Sequence, residues 1–262
     1  MKLYYKKIGE GFPIVIVHGL YGSSDNWMVI AKELSEDFEV YVLDLRNHGK
    51  SPHSDDFSIG FMVDDLLQFF EETKIQKAFL LGHSLGGKIA MEFTYKYPKF
   101  IEKLVVVDIA PRNYLDTEFV ERSNHQTIIN FLKNVDLSKY KNRGEALEAL
   151  GKIDETGRLK LFMMKNIKRE KNRKLVWKIN LKAIADNLSK LLNEFDVNIA
   201  EILVATMFVK GENSNYITEK DISDILQKKS DTKFVEIKGA SHWLHAEKPE
   251  EFLNYVKSFL MN

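Results

Sequence analysis

The stretch Gly82-His83-Ser84-Leu85-Gly86 constrains this chain more than any other. It has G-x-S-x-G spacing. A short apolar run, Phe79-Leu80-Leu81, comes before it, and Gly87 to Phe93 reads as helix after it. A serine on a sharp strand-to-helix turn projects its hydroxyl only from a strained backbone. Glycines two residues to either side leave room where a Cβ would clash. The spacing alone recurs by chance; the flanking strand and helix make Ser84 a candidate nucleophile.

The first half of the chain alternates strand and helix signals. Pro13 to Val17 is an apolar strand ending at His18-Gly19, and Trp27 to Leu34 reads as helix. Val40 to Leu43 is a strand ending at Asp44, and Phe61 to Phe70 has helical spacing. Leu104 to Val107 is a strand ending at Asp108. Apolar strands separated by helices imply a parallel sheet covered on both faces. Such sheets take ligands at the carboxyl ends of their strands. His18, Asp44, Ser84 and Asp108 all fall there.

The pattern changes after Pro111. Residues 112–195 carry helical periodicity and no clear strand. Strand signals return at Ile202 to Val209 and at Lys233 to Ile237, and Tyr255 to Leu260 is a closing amphipathic helix. The reading is an α/β core of residues 1–111 and 196–262 interrupted by a helical cap of residues 112–195. No internal repeat or low-complexity segment interrupts it.

At 262 residues the chain can bury a full core, and its 44% hydrophobic content is ordinary for a soluble protein. Lys plus Arg and Asp plus Glu balance at 38 each, which points away from a nucleic-acid partner. The absence of cysteine excludes disulfides, thiolate catalysis and cysteine-based zinc sites. The first residues lack the apolar core of a signal peptide, and no apolar run approaches the ~20 residues of a membrane span. A cytoplasmic location is expected. Oligomeric state has no signature in this sequence. The cap region holds 18 Lys and Arg against 11 Asp and Glu, densest from Lys165 to Lys182. A solvated helix face is the favoured reading. The alternative is attraction of an anionic substrate, such as a phosphate-bearing thioester.

A serine hydroxyl needs an adjacent base at neutral pH. His242 is the strongest of seven histidines, because it follows the strand at Lys233–Ile237 and the small turn Gly239-Ala240-Ser241. His245 is its rival, read as a structural or rim residue. His83 is read as packing and His18 as scaffold. His48 and His53 lie in the loop after Asp44. For His125, in the cap, a satisfied surface role is favoured over substrate contact. Chains with this elbow run in the order serine, acid, histidine. The usual acid position follows the strand at Ile202–Val209, where the chain reads Lys210-Gly211-Glu212-Asn213-Ser214-Asn215-Tyr216. Only Glu212 is acidic there. Asp108 ends an apolar strand, where a buried carboxylate needs a partner. Asp108 is favoured, with Glu212 the alternative acid. The oxyanion hole needs two backbone N–H groups, and Leu85 and Leu20 are the candidates.

Over its whole length the chain resembles the α/β-hydrolase superfamily. The residues are His18-Gly19, Asp44-Leu45-Arg46-Asn47-His48-Gly49-Lys50-Ser51, the Ser84 elbow and Gly239-Ala240-Ser241-His242. Within it the chain is similar to the YbfF-type bacterial esterases and their eukaryotic relatives. The finer marks are Val107-Asp108-Ile109-Ala110-Pro111, Lys165-Asn166, Trp177-Lys178-Ile179-Asn180-Leu181 and Gly211-Glu212-Asn213-Ser214-Asn215-Tyr216. The resemblance implies an α/β-hydrolase fold, a mostly parallel sheet flanked by helices with an inserted helical cap. It implies hydrolysis of a small-molecule carboxylic ester or acyl thioester through an acyl-enzyme on Ser84, with His242 as base and no metal or organic cofactor. Some members place the acid after the strand that follows the elbow, which supports Asp108. The same triad also serves carbon–carbon bond hydrolases and lyases. A non-catalytic ligand-binding protein on this fold is a further alternative, and the presence of both Ser84 and His242 speaks against it.

Overall fold

The computed structural model describes residues 1–114, 120–152 and 158–262. Nine strands are present among them: β1 (Tyr5–Ile8), β2 (Phe12–Val17), β3 (Phe38–Leu43), β4 (Ala78–His83), β5 (Ile101–Val107), β6 (Ile167–Arg169), β7 (Leu175–Trp177), β8 (Ala205–Gly211) and β9 (Lys233–Ile237). The helices are α1 (Met28–Leu34), α2 (Ile59–Thr73), α3 (Leu85–Lys96), α4 (Val120–Asn134), α5 (Arg143–Ala149), α6 (Arg158–Met164), α7 (Leu181–Asn193), α8 (Glu219–Lys228), α9 (Leu244–Glu247) and α10 (Pro249–Met261). Seven strands form one sheet in the order β1-β3-β2-β4-β5-β8-β9. Every pairing in it is parallel except β1 with β3.

The central strands β2 and β4 and the second half of β5 are apolar because both faces are covered. In β2, Ile14 and Ile16 pack with Trp27 and Ile30 of the α1 region and Phe252 and Val256 of α10. The alternate residues Val15 and Val17 pack with Met62, Val63 and Leu66 of α2 and Ile89 of α3. Period-two alternation between two apolar layers leaves no polar position, so such a strand reads as a continuous run.

From β2 the chain adds β3 on one side and then returns to add β4, β5, β8 and β9 on the other, so strand order switches between the parallel neighbours β2 and β4. Loops leaving the two strands therefore part at their carboxyl ends and open a crevice. The loop after β2 starts at His18, and Ser84 follows β4.

Three strands are absent from the sequence expectation. β1 is an edge strand whose residues alternate between exposed and half-buried, with two lysines in its four residues. It presents no apolar run. Residues 112–195 include a hairpin, β6 paired antiparallel with β7, where the sequence pattern predicts only helix. Three-residue strands are too short to show a period. Their turn places Arg173 at φ 68°, without the glycine that marks a left-handed turn position. The dense basic stretch Lys165 to Lys182 is therefore mostly hairpin and not a helix face. Residues 115–119 and 153–157 of the expected cap lie outside the described residues. Among the described residues no helix is long and apolar enough to cross a membrane.

Candidate active site

Ser84 links β4 to α3 with φ 53° and ψ −121°. Its N–H donates to the Val107 carbonyl at 2.9 Å, and its own carbonyl accepts from Gly87 N–H at 2.8 Å. The elbow is thus held between the sheet and the first turn of a helix. A Cβ on Gly82 would overlap the Gly86 carbonyl, and one on Gly86 would overlap the Val17 carbonyl. Both obstacles are backbone, so neither can rotate away. Gly86→Ala is expected to lower stability by about 1–3 kcal/mol, the usual cost of overpacking. Urea unfolding measures it; an unchanged midpoint would show that β2 and α3 can separate freely.

Asp108 directly follows β5 and is completely buried, at φ 50°. Its Oδ1 accepts the Gly211 N–H at 3.1 Å. Its Oδ2 accepts the Ser214 hydroxyl and the His242 Nδ1–H, the latter at 2.7 Å. Burial penalises charge on both partners. It pushes Asp108 up to about 7, opposed by the Ser214 and Gly211 donors, and pushes His242 down to about 3. His242 is therefore neutral at pH 7, and the proton on Nδ1 leaves Nε2 as an acceptor.

The loop after β9 delivers His242 next to the pocket of Ser84. Gly239 takes φ 68° there. His83 Nε2–H donates to the His242 carbonyl at 2.9 Å. The Tyr216 ring stacks on the imidazole at 3.8 Å between centroids. Glu212 is elsewhere. It is exposed, accepting from Gly239 N–H at 2.7 Å and Lys238 Nζ at 3.2 Å. Asp108 is the carboxylate that His242 meets.

The remaining histidines separate cleanly. His245 stacks on Trp27 at 4.0 Å, nearly parallel, and is buried away from the rim. His18 Nε2 accepts the Leu45 N–H at 3.1 Å, a scaffold contact. His48 Nε2 accepts the Tyr21 N–H at 3.2 Å. His53 is exposed and donates to the Lys178 carbonyl at 3.0 Å. Two differ from expectation. His83 does more than pack, since it ties down the backbone of His242. His125 is half-buried: it lines the pocket, and its Nε2 lies 3.0 Å from the Tyr216 hydroxyl.

A cavity of about 230 Å³ holds Ser84 and His242 in its wall. Leu20 and Tyr21 come from the loop after β2, while Ile128, Leu159 and Phe162 come from the segment between β5 and β8. Neither the Leu20 nor the Leu85 N–H has a hydrogen-bond partner among the described residues. Leu85 is the first residue of α3, so its N–H is one of the free amides of a helix N-terminus. Ser214 and Tyr216 lie in the stretch Gly211 to Tyr216 that carries the family resemblance, but nothing in it or around His125 assigns these residues a role. The one sequence signal is Ser214 itself, a hydroxyl donor at the usual position of the acid.

Comparison with known proteins agrees with this architecture. A family model for the alpha/beta hydrolase fold matches residues 13–249. The chain is 35% identical to an sn-1-specific diacylglycerol lipase of Danio rerio over 96% of this chain and 79% of that protein. It is 32% identical to the esterase YbfF of Escherichia coli, over 95% of this chain and 92% of that one. Among solved structures, one described as a marine microorganism esterase is 42% identical, with a TM-score of 0.92 over 98% of this chain and 99% of that chain. Sheet order, elbow and these matches together place the chain in the α/β-hydrolase family.

Proposed function

We propose that this chain is a serine hydrolase that cleaves carboxylic esters or acyl thioesters through an acyl-enzyme on Ser84. The observation that carries this reading is the 2.7 Å hydrogen bond from His242 to the buried Asp108, in a pocket shared with a serine on a strained elbow. Asp108 holds the imidazole with its proton on Nδ1. Nε2 takes the Ser84 proton as Oγ attacks the acyl carbon. The Leu20 and Leu85 amides receive the oxyanion. His242 then protonates the leaving alcohol or thiol, and afterwards activates the water that releases the acid. This chemistry draws on no metal or organic cofactor.

Residues 112–195 act in this reading as the cap. Ile128, Leu159 and Phe162 are its contribution to the acyl pocket. The cavity is below the roughly 300–1,000 Å³ of drug-sized sites, which suits an acyl group of few carbons. The expected result is covalent labelling of Ser84 by a fluorophosphonate probe, with kcat/KM for p-nitrophenyl acetate or butyrate well above that for the palmitate. An unlabelled Ser84 would sink the reading. A preference for palmitate would show that the cap opens further than this cavity.

A further inference from the structure

The loop that carries Leu20 is fastened by the segment between β5 and β8. Gly19 to Gly22 is a turn closed by Gly22 N–H to the Gly19 carbonyl at 2.9 Å. Its third residue, Tyr21, has φ 62°. Turns that need a positive φ at that position ordinarily place glycine or asparagine there. An aromatic residue stays only where its surroundings hold it. Both polar groups of the Tyr21 backbone are held. The N–H donates to His48 Nε2 at 3.2 Å, and the carbonyl accepts from Asn166 Nδ2 at 2.5 Å.

Asn166 is fully buried and sits just before β6. Its own carbonyl accepts the Lys178 N–H at 2.7 Å, joining it to the residue after β7. The same hairpin grips the loop a second time. Lys178 Nζ reaches Asp25 Oδ2 at 3.1 Å, and Lys165 Nζ reaches the Asp25 carbonyl at 3.3 Å. Three contacts from one hairpin region thus fall on residues 21–25.

We propose that Asn166 is a positioning residue for the oxyanion hole, and that docking of the β6–β7 hairpin aims the Leu20 N–H at the oxygen that becomes negative. The proposal rests on Ser84 as nucleophile and Leu20 as an oxyanion donor. His48 holds the peptide between Leu20 and Tyr21 and Asn166 holds the next one, between Tyr21 and Gly22, so together they fix the φ and ψ of Tyr21 and with them the turn on the C-terminal side of the Leu20 N–H. Released from Asn166, Tyr21 can relax to negative φ, and the turn rotates with it. Acyl-chain contacts with Ile128, Leu159 and Phe162 stay as they are, whereas the interaction made only with the oxyanion weakens. Such a loss appears in kcat and not in KM.

Asn166→Leu removes both donors while keeping the number and branching of the side-chain heavy atoms. Relative to wild type, kcat per labelled Ser84 is expected to fall about 10- to 100-fold, within the range for losing one oxyanion donor, with KM little changed. Fluorophosphonate titration counts intact sites, so a merely structural role would show as fewer labelled molecules, each at full kcat. That outcome overturns the proposal. Should Asn166→Leu fail to fold, Lys178→Met loosens the same hairpin at its edge. A smaller fall in kcat at constant KM supports the proposal, and full kcat overturns it. An unlabelled wild type overturns the nucleophile assignment and this proposal together. A labelled wild type beside an unimpaired variant overturns this proposal alone.

Discussion

Ser84→Ala is expected to abolish ester hydrolysis and fluorophosphonate labelling while leaving the fold in place. Loss of the nucleophile alone costs as much as loss of the whole triad in a subtilisin, about 10⁶ in kcat. The residual rate is what the Leu20 and Leu85 amides and substrate binding supply without covalent chemistry. The fold survives because the structural bonds at this position are backbone bonds. Ser84 N–H to Val107 and Gly87 N–H to the Ser84 carbonyl do not involve Oγ. Alanine keeps the same Cβ at the same φ of 53°, so the strain of the elbow is unchanged. The checks are turnover of p-nitrophenyl acetate and a thermal unfolding midpoint within a few degrees of wild type. Near-normal turnover by the purified variant would remove Ser84 from the chemistry.

The parts of the molecule most legible in the sequence are those governed by the double-sided burial of the sheet. β2, β4 and β5 read as apolar runs because alternate residues meet two different apolar layers. Element termini are less legible: β8 begins at Ala205, three residues after the apolar run does. Ile202 instead closes the 3₁₀ turn Ile199–Glu201, its N–H donating to the Ile199 carbonyl, and packs in the apolar layer that includes α2 and α3. The strands that escape a sequence reading, β1, β6 and β7, are short; β1 and β6 carry lysine or arginine, and β7 is flanked by Lys174 and Lys178. Charged side chains at their edges erase the alternation that would reveal them.

The site divides in the same way. Ser84 has a local signature because its strain is local, set by Gly82 and Gly86 on either side. His242 against His245 is a choice between two residues three apart. The structure separates them by the short helix α9, which turns His245 inward onto Trp27. Tyr216, His125 and Asn166 act through contacts between segments far apart in the chain, 91 residues for the His125–Tyr216 pair. No spacing rule reaches that far. Ser214 is legible only in retrospect. The loop after β8 supplies a donor to a carboxylate that β5 provides, in place of supplying the carboxylate.

Asp108→Asn is the sharper test of that exchange, with Glu212→Gln beside it. The introduced amide keeps an oxygen to accept the Gly211 N–H or the Ser214 hydroxyl. Its nitrogen can only donate, so where it meets Nδ1 the imidazole must surrender that proton and carry it on Nε2. His242 is then already protonated on the side that should receive the Ser84 proton. The same change in a serine protease leaves the geometry intact and lowers kcat about 10⁴-fold. A fall of that order is expected here, with folded protein in normal yield. Glu212 holds Gly239 N–H and Lys238 on the exposed side of the loop. Glu212→Gln keeps an acceptor for Gly239, so kcat should stay near wild type and stability within about 0.5 kcal/mol. If Asp108 served only to fasten β5 to the loop after β8, its variant would unfold more easily and each folded molecule would keep full activity. Measuring kcat and the unfolding midpoint on both variants separates the cases. A crippled Glu212→Gln beside an active Asp108→Asn would return the acid to the loop after β8.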